Sequence, residues 1–251
     1  MMKSVFIKLS SFFWALFFIG LALDISAVSA QNPSLRDIDL LYEKNQSEED
    51  LKKISAQIEN VLGTHPNQPE WHWRLARTHY ALAKKVEESK SHHFDLCILH
   101  SSRTIEMKSD SAIGYFYRAL CRGKQGEMNG IWASLGIIGP FEKDMKKALE
   151  LDPLVSHAGP HRALGKLYLE LPFILGGDLD KSSHHLQEAV KLAPEYAENH
   201  LGLAQVLIEQ KNATGARESL HNLLQLTDNT QDEELLSLRK QGLELLEKLS
   251  L

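Results

Sequence analysis

The chain has 251 residues, of which 28 are basic, 33 are acidic and 43% are hydrophobic, and its formal net charge is −5. This composition describes a globular protein with a sizeable core, and the acidic balance excludes the basic footprint of a nucleic-acid-binding protein. Beyond residue 30, no segment approaches the run of about 20 apolar residues that spans a membrane.

Residues 1–30 carry the three parts of a secretory signal peptide. Two lysines form a positive start, residues 12–23 form an apolar run, and small residues lead to Ala30. The apolar run is short for a membrane span, and no Cys lies near the cleavage site for lipid attachment. We predict cleavage after Ala30, a mature domain of residues 31–251 with a net charge of −6, and export to the periplasm or outside the cell. An uncleaved anchor is the alternative.

The mature chain shows helix patterns and almost no strand patterns. Ser47 begins a helix with an acidic first turn, apolar residues recur at helical spacing, and His65 and Pro66 end the run. Downstream, paired segments of this kind predict helical hairpins. The helices predicted for the second and third hairpins are residues 71–85, 94–107, 115–125 and 141–151.

Two of the predicted connections are apolar. Residues 126–140 are predicted to join the helices of the third hairpin as a loop much longer than a usual inter-helix turn. Residues 172–178 are predicted to be the loop of the fourth hairpin, and residues 195–226 the fifth hairpin. Thr230 then opens a capping box, and leucines at helical spacing predict a last amphipathic helix that covers the end of the stack.

Near-identical helix endings indicate a repeat. Residues 148–153 read Ala-Leu-Glu-Leu-Asp-Pro, and residues 189–194, 41 positions later, read Ala-Val-Lys-Leu-Ala-Pro. Gly165 and Tyr168 fit the first helix of a tetratricopeptide (TPR) repeat, and equivalent ends 34 to 44 residues apart fit that repeat with insertions. The predicted fold is therefore an all-α, TPR-like α-α solenoid of about five helical hairpins with a C-terminal capping helix.

One block of the sequence resembles a known family. Residues 159–172 read Gly-Pro-His-Arg-Ala-Leu-Gly-Lys-Leu-Tyr-Leu-Glu-Leu-Pro, and residues 175–178 read Leu-Gly-Gly-Asp. This block resembles the T-component family of periplasmic TPR-like proteins of tripartite ATP-independent periplasmic (TRAP) transporters. The resemblance covers most of residues 40–250. It implies an all-helical protein that forms a homo-oligomer, encloses a pore or groove, and partners a periplasmic solute-binding subunit.

The first helices of TPR hairpins line a concave surface. Aligning the consensus leucines of the repeats places Arg or Lys on this surface in three successive hairpins. Arg suits carboxylates because its planar guanidinium donates two parallel hydrogen bonds. We predict that the groove binds a small organic acid, or an acidic or C-terminal segment of a protein partner. The candidate binding residues are Trp73, Arg77, Tyr80, Arg118, Arg122, His161, Arg162, Lys166 and Gln205.

A plainer alternative applies to the same residues. Surface Arg and Lys are common, and these side chains are alternatively solvated or paired with Glu on neighbouring helices. Histidine is also plentiful, with 12 residues, and His157 and His161 have the spacing of zinc ligands on a helix. Gly159 and Pro160 interrupt that pair, and no His-Glu-x-x-His motif is present, so no metal site is predicted.

The two cysteines are placed by the hairpin geometry. Cys97 and Cys121 lie twelve residues either side of Ser109, near a turn, and so stand at about the same height on antiparallel helices. An oxidising compartment allows a disulfide if their Cα atoms come within about 7 Å. Buried free thiols are the alternative, and the sequence leaves both outcomes open.

No motif for catalysis or for a cofactor is found, including nucleophile elbows, phosphate loops and dinucleotide fingerprints. We therefore predict a protein that is not an enzyme and needs no cofactor. The predicted function is an exported accessory of a TRAP-type uptake system that binds a solute-binding protein, a carboxylate ligand, or both. The alternative is a general protein-interaction scaffold for envelope assembly with no small ligand.

Overall fold

The computed structural model describes residues 33–44, 47–129 and 131–250. These ranges hold eleven α-helices, one 3₁₀ helix and no β-strand. The predicted signal peptide lies outside the described residues. The α-helices are α1 (Leu35–Lys44), α2 (Glu48–Thr64), α3 (Pro69–Lys85), α4 (Lys90–Met107), α5 (Ala112–Met128), α6 (Ile131–Leu151), α7 (Val155–Glu170), α8 (Leu179–Leu192), α9 (Ala197–Glu209), α10 (Ala213–Leu226) and α11 (Glu233–Lys248).

The helices form five antiparallel hairpins followed by a capping helix. Successive helices pair from α1 with α2 to α9 with α10, and α11 packs against α9 and α10. The predicted all-α, TPR-like solenoid is therefore confirmed. Leu238 and Leu245 of α11, and Leu249 directly after it, pack on buried Leu220 and Leu223, which covers apolar surface that the last hairpin would otherwise expose.

The first hairpin contains a helix that the sequence pattern did not predict. Ile38 of α1 is fully buried and packs in one cluster with Ile58 of α2 and Leu75 of α3. A helix of ten residues with one buried position carries too little apolar periodicity to be recognised. With α1 in place, the helix predicted to begin at Ser47 becomes the second member of a hairpin.

The core runs through the middle hairpins. Phe94, Phe116 and Met145 are at most 2% exposed and belong to one cluster. Within that cluster Cys97 of α4 and Cys121 of α5 form a disulfide, with Cα atoms 6.2 Å apart. The bridge therefore links the second hairpin to the third.

The connection within the third hairpin differs from the prediction. Residues 126–140 are not a loop, because α5 continues to Met128 and α6 begins at Ile131. Pro140 consequently lies inside α6. Because proline has no N–H, it donates no backbone hydrogen bond to the carbonyl of Gly136, four residues earlier. Glycine and proline suggested a loop here, but the helix accommodates both.

The loop of the fourth hairpin contains the short 3₁₀ helix Phe173–Leu175. Phe173 and Ile174 are 90% and 88% exposed. Asp178 begins the next helix because its side chain accepts hydrogen bonds from the backbone N–H groups of Asp180 and Lys181.

The curve of the solenoid brings α11 back to α3. Lys84 Nζ, near the end of α3, lies 2.6 Å from Glu234 Oε1 in the first turn of α11. Beside this pair, Lys85 Nζ lies 3.3 Å from Glu233 Oε2. The first helices of the hairpins therefore face a concave space that α11 borders on one side.

Candidate binding groove

Aromatic and charged side chains from several hairpins gather in this concave space. The rings of Tyr80 on α3 and Tyr117 on α5 lie 6.0 Å apart. Lys84 Nζ lies 5.9 Å from the Tyr80 ring and 2.6 Å from Glu234 Oε1, so α11 borders the same space. Burial raises the pKa of Tyr80, and the charges of Glu198 and Arg162 also act on it. We name this surface the tyrosine groove; it consists of Tyr42, Arg77, Tyr80, Tyr117, Arg162, Lys166, Tyr196 and Glu198.

On the α1 side of the groove, two arginines share one carboxylate. Arg74 donates to Asp39 Oδ1 at 3.0 Å and to Oδ2 at 2.5 Å, and Arg77 Nη2 donates to Oδ1 at 2.8 Å. The Arg77 guanidinium also lies 3.9 Å over the Tyr42 ring and 5.0 Å over the Trp73 ring. Burial acts to raise the pKa of Asp39, but the hydrogen bonds from both arginines lower it below its ordinary value. Arg77 is therefore a fixed positive charge in the groove wall.

At the α7–α9 contact, two cations hold one carboxylate. Arg162 Nε lies 3.1 Å from Glu198 Oε2, and Lys166 Nζ lies 2.6 Å from Oε1. Burial acts to raise the pKa of Glu198, but Arg162 and Lys166 outweigh it and lower that pKa to about 2. The Glu198 side chain remains 30% exposed. An ionised carboxylate is therefore held firmly here, with part of its surface open to the groove.

A left-handed backbone turn precedes these cations. Ser156, His157 and Ala158 have φ angles of 53°, 57° and 57°, a conformation that costs about 1–2 kcal/mol for each residue with a side chain. Arg162 Nη1 donates to the His157 carbonyl at 3.0 Å and to Asn199 Oδ1 at 2.9 Å. One guanidinium thus supports both the turn and the ion pair. Such strain persists where the surroundings fix it, and it concentrates at functional sites.

The tyrosines of the groove remain uncharged at neutral pH. Burial raises the pKa of Tyr42 to about 12 and holds the pKa of Tyr117 well above its ordinary value. The Tyr196 ring lies 4.6 Å from the Arg162 guanidinium and is stacked on the His157 ring at 4.6 Å. The wall therefore offers aromatic faces and neutral hydroxyl groups beside fixed charges, a combination that suits partly apolar ligands.

The structure separates Arg118 and Arg122 from the groove. Arg118 donates to both oxygens of Asp144, at 2.6 and 2.7 Å, and Arg122 donates to one of them at 3.3 Å. Asp144 belongs to α6, the second helix of the same hairpin, whereas the groove cations bind carboxylates on the first helix of a neighbouring hairpin. The prediction of one cationic row through three successive repeats is therefore corrected. Arg118 and Arg122 line a cavity between α5 and α6.

Three further predicted binding residues, Trp73, Gln205 and His161, do not take part in these ion pairs. Trp73 Nε1 donates to Glu70 Oε2 at 2.8 Å. Gln205 is half-buried on α9. His161 was predicted as a groove donor, but its Nδ1 lies 2.9 Å from His185 Nδ1 on α8. This nitrogen of His161 therefore faces the second helix of its own hairpin.

Histidines also pair along the contact between α3 and α4. The Nδ1 atoms of His72 and His100 lie 2.9 Å apart, and those of His79 and His93 lie 3.2 Å apart. Each neutral imidazole has one donor and one acceptor nitrogen, so each pair forms one N–H···N hydrogen bond. We name these four residues the histidine seam. Over the part of the chain that the structure describes, no group of three or more His, Cys, Asp or Glu residues is arranged to hold a metal ion.

The sequence pattern missed the carboxylates that bind the cations. Asp39 and Glu198 both stand on first helices of hairpins, a part of the repeat in which only basic residues were sought. Tyr42 lies on the helix that was not predicted. Examining acidic residues of neighbouring first helices together with the basic ones would have found Glu198.

Two protein-family models match parts of the chain. The model of regulator of microtubule dynamics protein 1-3 matches residues 34–169, which is more than half of the chain. The chain belongs to this family. A model of the TRAP transporter T-component matches residues 128–246, so the predicted resemblance to that family is confirmed. The sequence patterns did not indicate the first family, whose match extends from α1 into α7.

A solved TPR structure shares the fold. A thermophilic TPR protein of Thermus thermophilus is 19% identical with a TM-score of 0.65, and the match covers 84% of this chain and 96% of that one. MamA is 14% identical with a TM-score of 0.46, over 83% of this chain and 95% of its own. Yeast Tom70 is 13% identical with a TM-score of 0.46, over 86% and 46%. No functionally curated protein matches significantly.

These findings describe a TPR-like helical repeat protein. Solenoids of this kind present extended concave surfaces to partners, and the family match to a TRAP transporter T-component supports an accessory, interaction-based role. Among the described residues, none of the helices is both long and apolar enough to cross a membrane.

Proposed function

We propose that the protein is a non-catalytic, exported binding protein that serves as an accessory to a TRAP-type periplasmic uptake system. Its tyrosine groove binds a carboxylate-bearing segment of a solute-binding subunit, or a small organic acid. The observation that carries this proposal is the α7–α9 cluster, where Arg162 and Lys166 already hold one carboxylate, that of Glu198, in a partly open position.

Lys166 is the residue best placed to accept a second carboxylate. Its side chain is 32% exposed, and its ammonium group, which has three N–H donors, is bonded to one Glu198 oxygen. Arg162 is far less accessible at 9% side-chain exposure, and its donors are used by the turn and by Glu198. An incoming carboxylate therefore binds Lys166, while Tyr80 and Tyr196 supply apolar contact.

An oxidising compartment is part of the proposal. The Cys97–Cys121 disulfide and the predicted signal peptide both favour an exported location, because disulfides are rare in reducing cytosol.

Lys166→Gln tests the groove directly. The mature protein is titrated calorimetrically with the solute-binding subunit encoded nearest to its gene, and with a set of small organic acids. We expect Lys166→Gln to weaken binding about tenfold, which corresponds to about 1.4 kcal/mol. Lys53→Gln, an exposed α2 residue whose ion pair lies within one helix, is the matched control and leaves affinity unchanged.

Two results would reject the proposal: no binding of either probe class, or equal affinity of the two variants. Capture of other envelope proteins that is insensitive to Lys166→Gln would favour the general scaffold instead. Circular dichroism of both variants checks that the helical fold is retained.

A further inference from the structure

A cavity between α5 and α6 lies apart from the tyrosine groove. It has a volume of about 700 Å³, and an adjoining cavity of about 440 Å³ shares its central lining residues. None of the residues that define the tyrosine groove lines either cavity. The charged lining residues of the two cavities are Arg118, Arg122, Glu142, Lys143, Asp144, Lys146, Lys147 and Glu150.

Positive charge exceeds negative charge in this lining by two. Two of the three carboxylates form ion pairs with lysines of the same lining. Glu142 lies 2.6 Å from Lys146 Nζ, and Glu150 lies 2.8 Å from Lys147 Nζ. Both pairs lie within α6 and are exposed, so they add little beyond cancelling one another's charge. Asp144 is the remaining carboxylate for the inner cations.

Asp144 neutralises only one of those inner cations. It is 4% exposed and receives a two-point contact from Arg118 at 2.6 and 2.7 Å. Arg122 reaches the same carboxylate through a single contact of 3.3 Å. No ion pair joins Lys143 to any carboxylate in the described parts of the chain. Arg122, with its single 3.3 Å contact to a shared carboxylate, and Lys143 therefore line the smaller cavity with more positive charge than Asp144 balances.

The electrostatic surroundings of Arg122 are consistent with this excess of positive charge. Burial and the neighbouring Arg118 charge lower the pKa of Arg122, and Asp144 offsets them only in part. Its side chain is nevertheless 32% exposed, so its guanidinium donors can be reached from the cavity.

We infer that this cavity binds a small dianionic oxyanion, either a phosphate group or a dicarboxylate, between Arg122 and Lys143. Guanidinium and ammonium donors suit both kinds of oxyanion, and the excess of two positive charges in the lining matches a dianion. Asp144 positions Arg122 through their 3.3 Å contact. The site is independent of the tyrosine groove, so either can fail experimentally without the other.

The test is calorimetric titration of the mature protein at low ionic strength, with inorganic phosphate and with succinate as separate probes. We expect saturable binding of at least one probe, weakened about tenfold or more by Arg122→Gln and by Lys143→Gln. Lys53→Gln, which changes an exposed α2 residue outside both sites, is the matched control and leaves this affinity unchanged. Binding of phosphate alone assigns a phosphate-bearing ligand, and binding of succinate alone assigns a dicarboxylate.

Arg122→Lys keeps the charge and retains most of the affinity if electrostatics governs binding, whereas a merely structural role for Arg122 predicts no such rescue. Absence of saturable binding with both probes would overturn the inference. So would affinity that is equal in wild type, Arg122→Gln and Lys143→Gln proteins, each shown by circular dichroism to be folded.

Discussion

The histidine seam and the α7–α9 side of the tyrosine groove are both polar contacts between neighbouring helices, yet they depend on opposite charge states. In the seam, His79 is 3% exposed and pairs with another imidazole, so the contact needs at least one uncharged ring. In the groove, Arg162 and Lys166 hold an ionised Glu198. The comparison indicates that acid weakens the second hairpin at a pH where the groove is still intact.

The hydrogen bonds of the histidine seam explain why its imidazole rings resist protonation. His72 Nε2 lies 2.8 Å from the Pro66 carbonyl, which only accepts, so this nitrogen donates and Nδ1 must accept from His100. If both rings of a pair carried two protons, neither could accept. Burial lowers the pKa of His79 to about 3 and that of His100 to about 4, and nearby histidine charges contribute to both shifts.

Removing the central guanidinium should have the largest effect. Arg162→Ala leaves Glu198 without its buried partner and the left-handed turn without its support, so we expect a loss of about 3 kcal/mol in the free energy of unfolding. Urea denaturation measures it. Lys166→Ala, which removes the more exposed cation, should cost about 1 kcal/mol or less. Equal losses in the two variants would show that Arg162 has no special role.

Acidification should destabilise the histidine seam at a higher pH than the α7–α9 side of the groove. His79 has a folded pKa of about 3, below the unfolded value of about 6.5, so the unfolded chain binds the proton first. Stability is therefore full above pH 6.5 and falls as the pH drops towards 3, by about 2 kcal/mol at pH 5 from His79 alone. Glu198 loses its contribution only between pH 4.5 and about 2.

The variant His79→Leu should flatten the slope of stability against pH between 6.5 and 5, whatever its effect at pH 7. His221→Gln, which changes an exposed histidine, should keep the wild-type slope. Thermal denaturation at several pH values measures both slopes. A wild-type slope in His79→Leu protein would contradict the account of the seam.

The contact between α3 and α11 should have the smallest effect. Lys84 and Glu234 form a 2.6 Å ion pair, but their side chains are 44% and 48% exposed. We expect Lys84→Ala to cost about 0.2–1 kcal/mol in unfolding free energy, with the cost reduced at high salt. A loss well above that range, insensitive to salt, would show that the contact between α3 and α11 is a principal source of stability.

The fold could be predicted from the sequence repeat because each repeat motif depends only on the helix that contains it. The endings at Pro153 and Pro194 and the consensus at Gly165 each report the helix in which they stand. Contacts between hairpins are not local: the pairing of Arg162 with Glu198 depends on how α7 and α9 stack, and α1 is too short to show a period. The left-handed turn at Ser156 had only the nearby Gly159 and Pro160 as a signal, and these indicated a break without its geometry.

The central claim, that the tyrosine groove is the partner-binding surface, is tested most directly by nuclear magnetic resonance. The amide spectrum of the isotope-labelled mature protein is recorded during titration with the solute-binding subunit. The account predicts that the shifted signals come from α3, α7 and α9, around Arg77, Lys166 and Tyr196. Shifts confined to the exposed loop at Phe173 and Ile174, with the groove signals unchanged, would contradict it.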